Sequence, residues 1–186
     1  MLHFVFKTYL RTTGWKAVNS IPAGLKKFVL VVGPHTSGWD IFMGFAFRSA
    51  LKIDYIKFIA KKELFSPPFG SLFRKLGGVP VDRSGSYNFV DQVVDMFNSN
   101  EFFAIALSPE GTRKKVDRLR TGFYHIAQKA NVPIVLLAFD FGKKEFRFAE
   151  PFYTTGNEAE DLRKVITFFA GVKGKNQELG LDHLAE

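Results

Sequence analysis

The sequence contains no cysteine, which excludes a disulfide-stapled scaffold and thiolate catalysis and suits a reducing compartment. Histidine is scarce too: there are four, no two of them spaced as H-x-x-x-H, so a helical zinc pair is not encoded and no metal is expected. No long hydrophobic run exists. The longest stretch free of Asp, Glu, Lys and Arg is Phe28 to Trp39, twelve residues, whereas a helix crossing a bilayer needs roughly 18–20. Lys7 and Arg11 interrupt the apolar residues at the N-terminus, so no signal peptide is expected there. The nucleophile elbow G-x-S-x-G of serine hydrolases is missing. So are helix-turn-helix, RNP-like and zinc-finger spacings, which argues against a nucleic-acid partner despite the positive charge.

What is present is a chain of 186 residues, 46% hydrophobic, with a net charge of +8 and 22 phenylalanines. That is enough apolar mass for one full core. The charge favours anionic partners, and so many aromatics predict an exposed patch that binds something. Residues 1–25 form a first unit, a basic and aromatic amphipathic helix over residues 1–20 that either docks on the domain or lies in a lipid headgroup layer. Residues 26–170 alternate strand and helix, which predicts a single α/β domain, its sheet mainly parallel but mixed, with helices on both faces. Within it Glu145 to Phe148 reads as an edge strand. Residues 171–186 read as a loose polar tail.

Two short boxes each follow a run with the length and apolar content of a strand buried on both faces. His35-Thr36-Ser37-Gly38-Trp39-Asp40 follows Phe28 to Gly33, and Ser108-Pro109-Glu110-Gly111-Thr112-Arg113 follows Phe102 to Leu107. Parallel strands in one open sheet would deliver both boxes to the carboxyl edge, where such folds bind ligands. On one helix His35 and Asp40 would face about 140° apart; fully extended they would be about 16 Å apart. A turn through Ser37-Gly38 brings them together and sets Asp40 at the start of the next helix. The carboxylate would then fix the histidine tautomer and leave the second ring nitrogen as a general base. Taken alone, H-x4-D is more often a helix-capping Asp beside a structural His.

In the second box Gly111 permits close backbone approach, and Arg113 offers a planar fork for a phosphate. Glu110 would accept from substrate hydroxyls or hold the arginine. An ordinary solvated loop with an ion pair is the competing reading. Gly77 to Arg83 again ends a strand with an arginine, and a structural Asp-Arg pair is its plainer alternative.

Jointly, the boxes resemble the glycerolphosphate acyltransferase family, the PlsC-type enzymes of phospholipid synthesis. His35 to Asp40 matches the family's H-x4-D motif, Gly77 to Arg83 resembles its G-x-x-F-[IV]-D-R, and Ser108 to Arg113 its F-P-E-G-T-R. Leu119 to Ala127 and Val132 to Val135 resemble two further boxes in the expected order. Pro34, Pro80, Ser108 and Leu136 depart from the pattern at positions expected to shape the acceptor pocket. The resemblance implies a membrane-associated O-acyltransferase of the 1-acylglycerol-3-phosphate type. Its co-substrate would be acyl-CoA or an acyl carrier protein thioester, its acceptor a lysophospholipid, with no bound cofactor. It implies His35 and Asp40 as catalytic residues, and Arg83, Glu110, Gly111, Thr112 and Arg113 as substrate-binding residues. The expected location is peripheral, on the cytoplasmic face of a membrane. An acyl-thioester hydrolase using the same His-Asp pair is the alternative, and a basic nucleic-acid-binding module a weaker one.

Overall fold

Strand β2 (Lys27–Gly33) shows how the molecule is built, because successive side chains point to opposite faces. Val29 and Val31 enter one apolar cluster, while Phe28 and Leu30 enter another. Strand β6 (Ile134–Asp140), buried along its whole length, divides in the same way: Ile134, Leu136 and Ala138 on one side, Val135, Leu137 and Phe139 on the other. Continuous apolar runs are what strands covered on both faces require. The computed structural model describes residues 2–81 and 88–185.

Among the described residues the sheet has seven strands in the order β1-β7-β6-β2-β5-β3-β4. The remaining strands are β1 (Lys16–Val18), β3 (Ile56–Lys61), β4 (Gly78–Val81), β5 (Phe103–Leu107) and β7 (Glu145–Phe148). Every neighbouring pair is parallel except β6 and β7. Helices α4 (Phe89–Ser99), α5 (Gly122–Ala130) and α6 (Glu158–Phe169) cover the face of Val29 and Val31. Helices α1 (Leu2–Thr12) and α2 (Trp39–Ala50) cover the other, where Leu10, Met43 and Phe47 are buried. A short helix α3 (Gly70–Lys75) precedes β4. The expected mixed, mainly parallel α/β sheet with helices on both faces and an N-terminal helix is the fold found.

Three expectations change. The N-terminal helix ends at Thr12, not near residue 20. Gly14 adopts φ +80, the Trp15 N–H bonds to the Leu10 carbonyl at 2.8 Å, and the Gly14 N–H bonds to that of Arg11 at 3.2 Å. This is a Schellman stop, which needs glycine at the left-handed position. The chain then turns into β1, which pairs in parallel outside β7. Strand β7 is therefore not an edge. The C-terminal segment is not loose either, since Val172 and Leu181 are 2% and 1% exposed and belong to the core of the α4–α6 face.

α1 docks on α2. His3 Nδ1 donates to the Ser49 carbonyl at 2.7 Å, and Phe6 and Tyr9 meet the Phe42 ring edge-on at 6.1 and 5.7 Å between centroids. Its other face is left outward: Phe4 and Val5 are exposed, with Leu2 exposed at the helix start, and Lys7 and Arg11 are exposed too.

Candidate active site

β2 and β5 are neighbours, with Val31 opposite Leu107. Their carboxyl ends, and hence the two boxes, leave the sheet side by side. After Gly33 the chain makes a tight turn: the Asp40 N–H bonds to the Ser37 carbonyl at 3.3 Å, and the Trp39 N–H bonds to Ser37 Oγ at 3.2 Å. α2 then begins with Asp40 in its first turn, where the helix dipole favours a carboxylate. Asp40 Oδ2 accepts three hydrogen bonds, from His35 Nδ1 at 3.0 Å and from the Thr36 and Ser37 N–H groups at 2.8 Å each. A carboxylate facing Nδ1 makes that nitrogen the proton carrier, so Nε2 keeps its lone pair. Asp40 is 6% exposed, and its Oδ1 has no hydrogen-bond partner among the described residues.

From β5 comes Glu110, 1% exposed. It does not face solvent, nor does it bond Arg113. Its Oε1 accepts the backbone N–H of His35 at 2.6 Å, and its Oε2 accepts the Ser108 hydroxyl at 2.6 Å. Glu110 thus ties the second box to the peptide that carries the imidazole. Ser108, one of the departures from the family pattern, is part of that tie. A hydroxyl two residues before a carboxylate at the end of a buried strand was the available signal for it.

Gly111 (φ +64) turns the chain back, and a Cβ there would lie 3.2 Å from Arg120 Cγ. Thr112 is exposed and its Oγ1 accepts the Lys114 N–H at 3.3 Å. Arg113 is exposed, and its Nη1 lies 3.4 Å from where a Cβ on Gly38 would stand. The guanidinium therefore sits over the turn between His35 and Asp40. Arg83 lies outside the described residues.

Beside His35 opens an apolar cavity of about 440 Å³. Leu30, Val32, Phe47, Ile56, Leu137 and Phe139 line it, together with His35 and Asp40 near one end of α2 and Arg48 eight residues along. That separation on a helix is about 12 Å. Arg48 donates to the Ile56 carbonyl at 2.9 Å and to the Leu76 carbonyl. Burial draws its pKa down, against the pull of Asp54 3.7 Å away. No group of His, Asp and Glu able to hold a metal ion is found among the described residues.

Burial pushes the Glu110 carboxyl above its ordinary 4.5, although the bonds from Ser108 and His35 pull it down. An acid whose pKa rises on folding stabilises the fold below its unfolded value, and loses that contribution as pH climbs through the folded value. Glu110→Gln keeps an oxygen for the His35 N–H and cannot titrate. The Tm of the wild type minus that of Glu110→Gln should therefore fall as pH is raised from about 4 to about 7. A difference that stays flat over that range would mean that the buried carboxyl is no harder to ionise than a free one.

A family model described as Acyltransferase matches residues 8–140, a span that holds both boxes and the cavity. No curated protein matches the sequence. Among solved structures, the fold is similar to that of the 1-acyl-sn-glycerophosphate (LPA) acyltransferase PlsC from Thermotoga maritima. The TM-score is 0.60 at 21% identity, over 90% of this chain and 74% of that one. The His35–Asp40 pair at the carboxyl edge, the order of the boxes and the extent of the family match lead to one assignment: the chain belongs to the acyltransferase family.

Proposed function

We propose that the protein moves a fatty acyl group from a coenzyme A or acyl carrier protein thioester to the hydroxyl of a lysophospholipid, with 1-acyl-glycerol-3-phosphate as the preferred acceptor. The observation that carries this reading is an imidazole held through Nδ1 by a buried carboxylate, its ring at the wall of an elongated apolar cavity. Such a cavity suits an acyl chain. Nε2 of His35 takes the proton of the acceptor hydroxyl as its oxygen forms a bond to the thioester carbonyl carbon. The tetrahedral intermediate then collapses, the carbon–sulfur bond breaks, and the thiolate leaves with the proton carried by the imidazolium. Arg113, over the turn, would hold the acceptor's phosphate, helped by Arg83. Lys62 and Arg74 line a second hollow, of about 380 Å³, beside Pro80 of β4.

The test uses purified protein, labelled palmitoyl-CoA and lysophosphatidic acid. Thioester loss should match formation of the diacyl product and should stop when the acceptor is withheld. Turnover that continues without acceptor would replace this reading by hydrolysis.

A lysolipid acceptor requires access to a membrane surface. Among the described residues no helix is long and apolar enough to cross a membrane. Leu2, Phe4 and Val5 on α1 are exposed, as are Trp39, Ile41 and Phe42 at the start of α2, and Ile41 also lines the cavity. These exposed apolar residues, with Lys7 and Arg11 on α1, suit peripheral insertion into an anionic leaflet on the cytoplasmic side. Changing Phe4 and Val5 together to serine should weaken co-sedimentation with phosphatidylglycerol vesicles by about tenfold or more, from the apolar area withdrawn from lipid. Unchanged sedimentation would assign the exposed face of α1 some other role.

A further inference from the structure

The C-terminal segment reaches back to the first box. Val172 and Leu181 fasten it to the core, the Phe141 N–H bonds to the Lys173 carbonyl at 2.8 Å, and between them the chain passes against Thr36. Thr36 is 2% exposed and follows His35 directly. The approach is close: a Cβ on Gly174 would lie 2.7 Å from Thr36 Cγ2 and Oγ1. Asn176 then makes two bonds to this one residue. Its backbone N–H donates to Thr36 Oγ1 at 3.1 Å, and its Nδ2 donates to the Thr36 carbonyl at 3.0 Å.

The second bond matters most. The Thr36 carbonyl and the Ser37 N–H belong to one peptide group, and that N–H donates to Asp40 Oδ2. Asn176 is therefore linked through a single planar unit to the carboxylate that orients His35. A donor on the carbonyl polarises the peptide and strengthens its N–H as a donor in turn. The backbone of His35 and Thr36 lies between the end of β2 and the start of α2, outside any strand ladder. It is fixed from three directions: by Glu110 on the His35 N–H, by Asp40 on the Thr36 N–H, and by Asn176 on the Thr36 carbonyl.

We infer that Asn176 is a positioning residue of the active site, holding the Thr36–Ser37 peptide so that Asp40 and His35 keep their alignment. Its kinetic consequence rests on the acyl-transfer reading above; its effect on the imidazole does not. Asn176→Asp keeps the size and the backbone bond but removes the side-chain donor. A displacement of a catalytic group by about 1 Å can cost of the order of 100-fold in rate. For Asn176→Asp we expect kcat to fall about 10- to 100-fold, with the KM for palmitoyl-CoA within about twofold of wild type. Asn176→Ala, which adds no negative charge near Asp40, should do the same.

An arm that needs no substrate is the ring 15N spectrum of His35, assigned by its loss in a His35→Gln variant. The wild type should show one tautomer, protonated on Nδ1, and both Asn176 variants a mixture. A single unchanged tautomer in folded Asn176→Ala would overturn the proposal. So would a kcat loss that disappears when the variant is assayed well below its Tm. If wild-type protein transferred nothing to lysophosphatidic acid while the variants still shifted the tautomer, the acyl-transfer reading would fail and the positioning role would stand. Should Asn176→Asp fail to fold, the alanine variant carries both arms.

Discussion

His35→Ala should lower kcat/KM for acyl transfer by at least about 10²- to 10⁴-fold, the usual worth of a well-placed general base, and leave thermal unfolding almost unchanged. The His35 side chain is 25% exposed, and its ring leaves a cavity wall when it is removed, not a filled core. Asp40 retains the Thr36 and Ser37 N–H groups as partners, so the turn keeps two of its three ties. Palmitoyl-CoA turnover and a melting curve, measured on the same preparation, check both halves. Activity above about a tenth of wild type would remove His35 as the base, and a large fall in Tm would recast it as a structural histidine.

The second large effect is on stability. Phe146 on β7 is 1% exposed. It stacks on Phe47 with centroids 3.8 Å apart, and meets Phe139 at 4.8 Å and Trp15 at 4.7 Å. Phe146→Ala would delete a ring that joins α2, β6 and the chain leading into β1, and few flexible groups stand ready to refill the space. Such truncations cost about 3–5 kcal/mol, which in a domain of this size lowers Tm by roughly 10 °C. Urea unfolding of wild type and variant gives the difference directly. A cost under about 1 kcal/mol would show that the neighbouring aromatics close over the gap. Because Phe47 and Phe139 also line the cavity, the variant should in addition bind the acyl donor less tightly.

How far the sequence alone could lead is clear from particular residues. β2, β5 and β6 announce themselves as unbroken apolar runs, since a strand covered on both faces has no polar side to interrupt it. The H-x4-D spacing, impossible for a helix or an extended chain, required the turn that Ser37 and Gly38 make. β1 was out of reach: Lys16, Ala17 and Val18 carry no strand pattern, and they extend the sheet only because β7 offers an open edge. Gly14, by contrast, was a legible stop that the reading of residues 1–20 as one helix passed over. Glu110 was legible as important but not in its role, because its partner is a backbone N–H 75 residues away and backbone donors leave no trace in composition. The C-terminal segment misled for a related reason. Its glycines, lysines and asparagine look solvated, yet Val172 and Leu181 anchor it and its polar groups bond inward to the first box.

The division of β2 between two apolar clusters has a consequence for how the enzyme would fail. Its residues stand at the centre of the sheet, flanked by β5 and β6 and packed from both sides. Segments of that kind open only when the whole molecule does, while a peripheral helix such as α1 frays at far lower cost. The histidine hangs from the tip of the most firmly moored strand. Its alignment would outlast the detachment of the N-terminal helix.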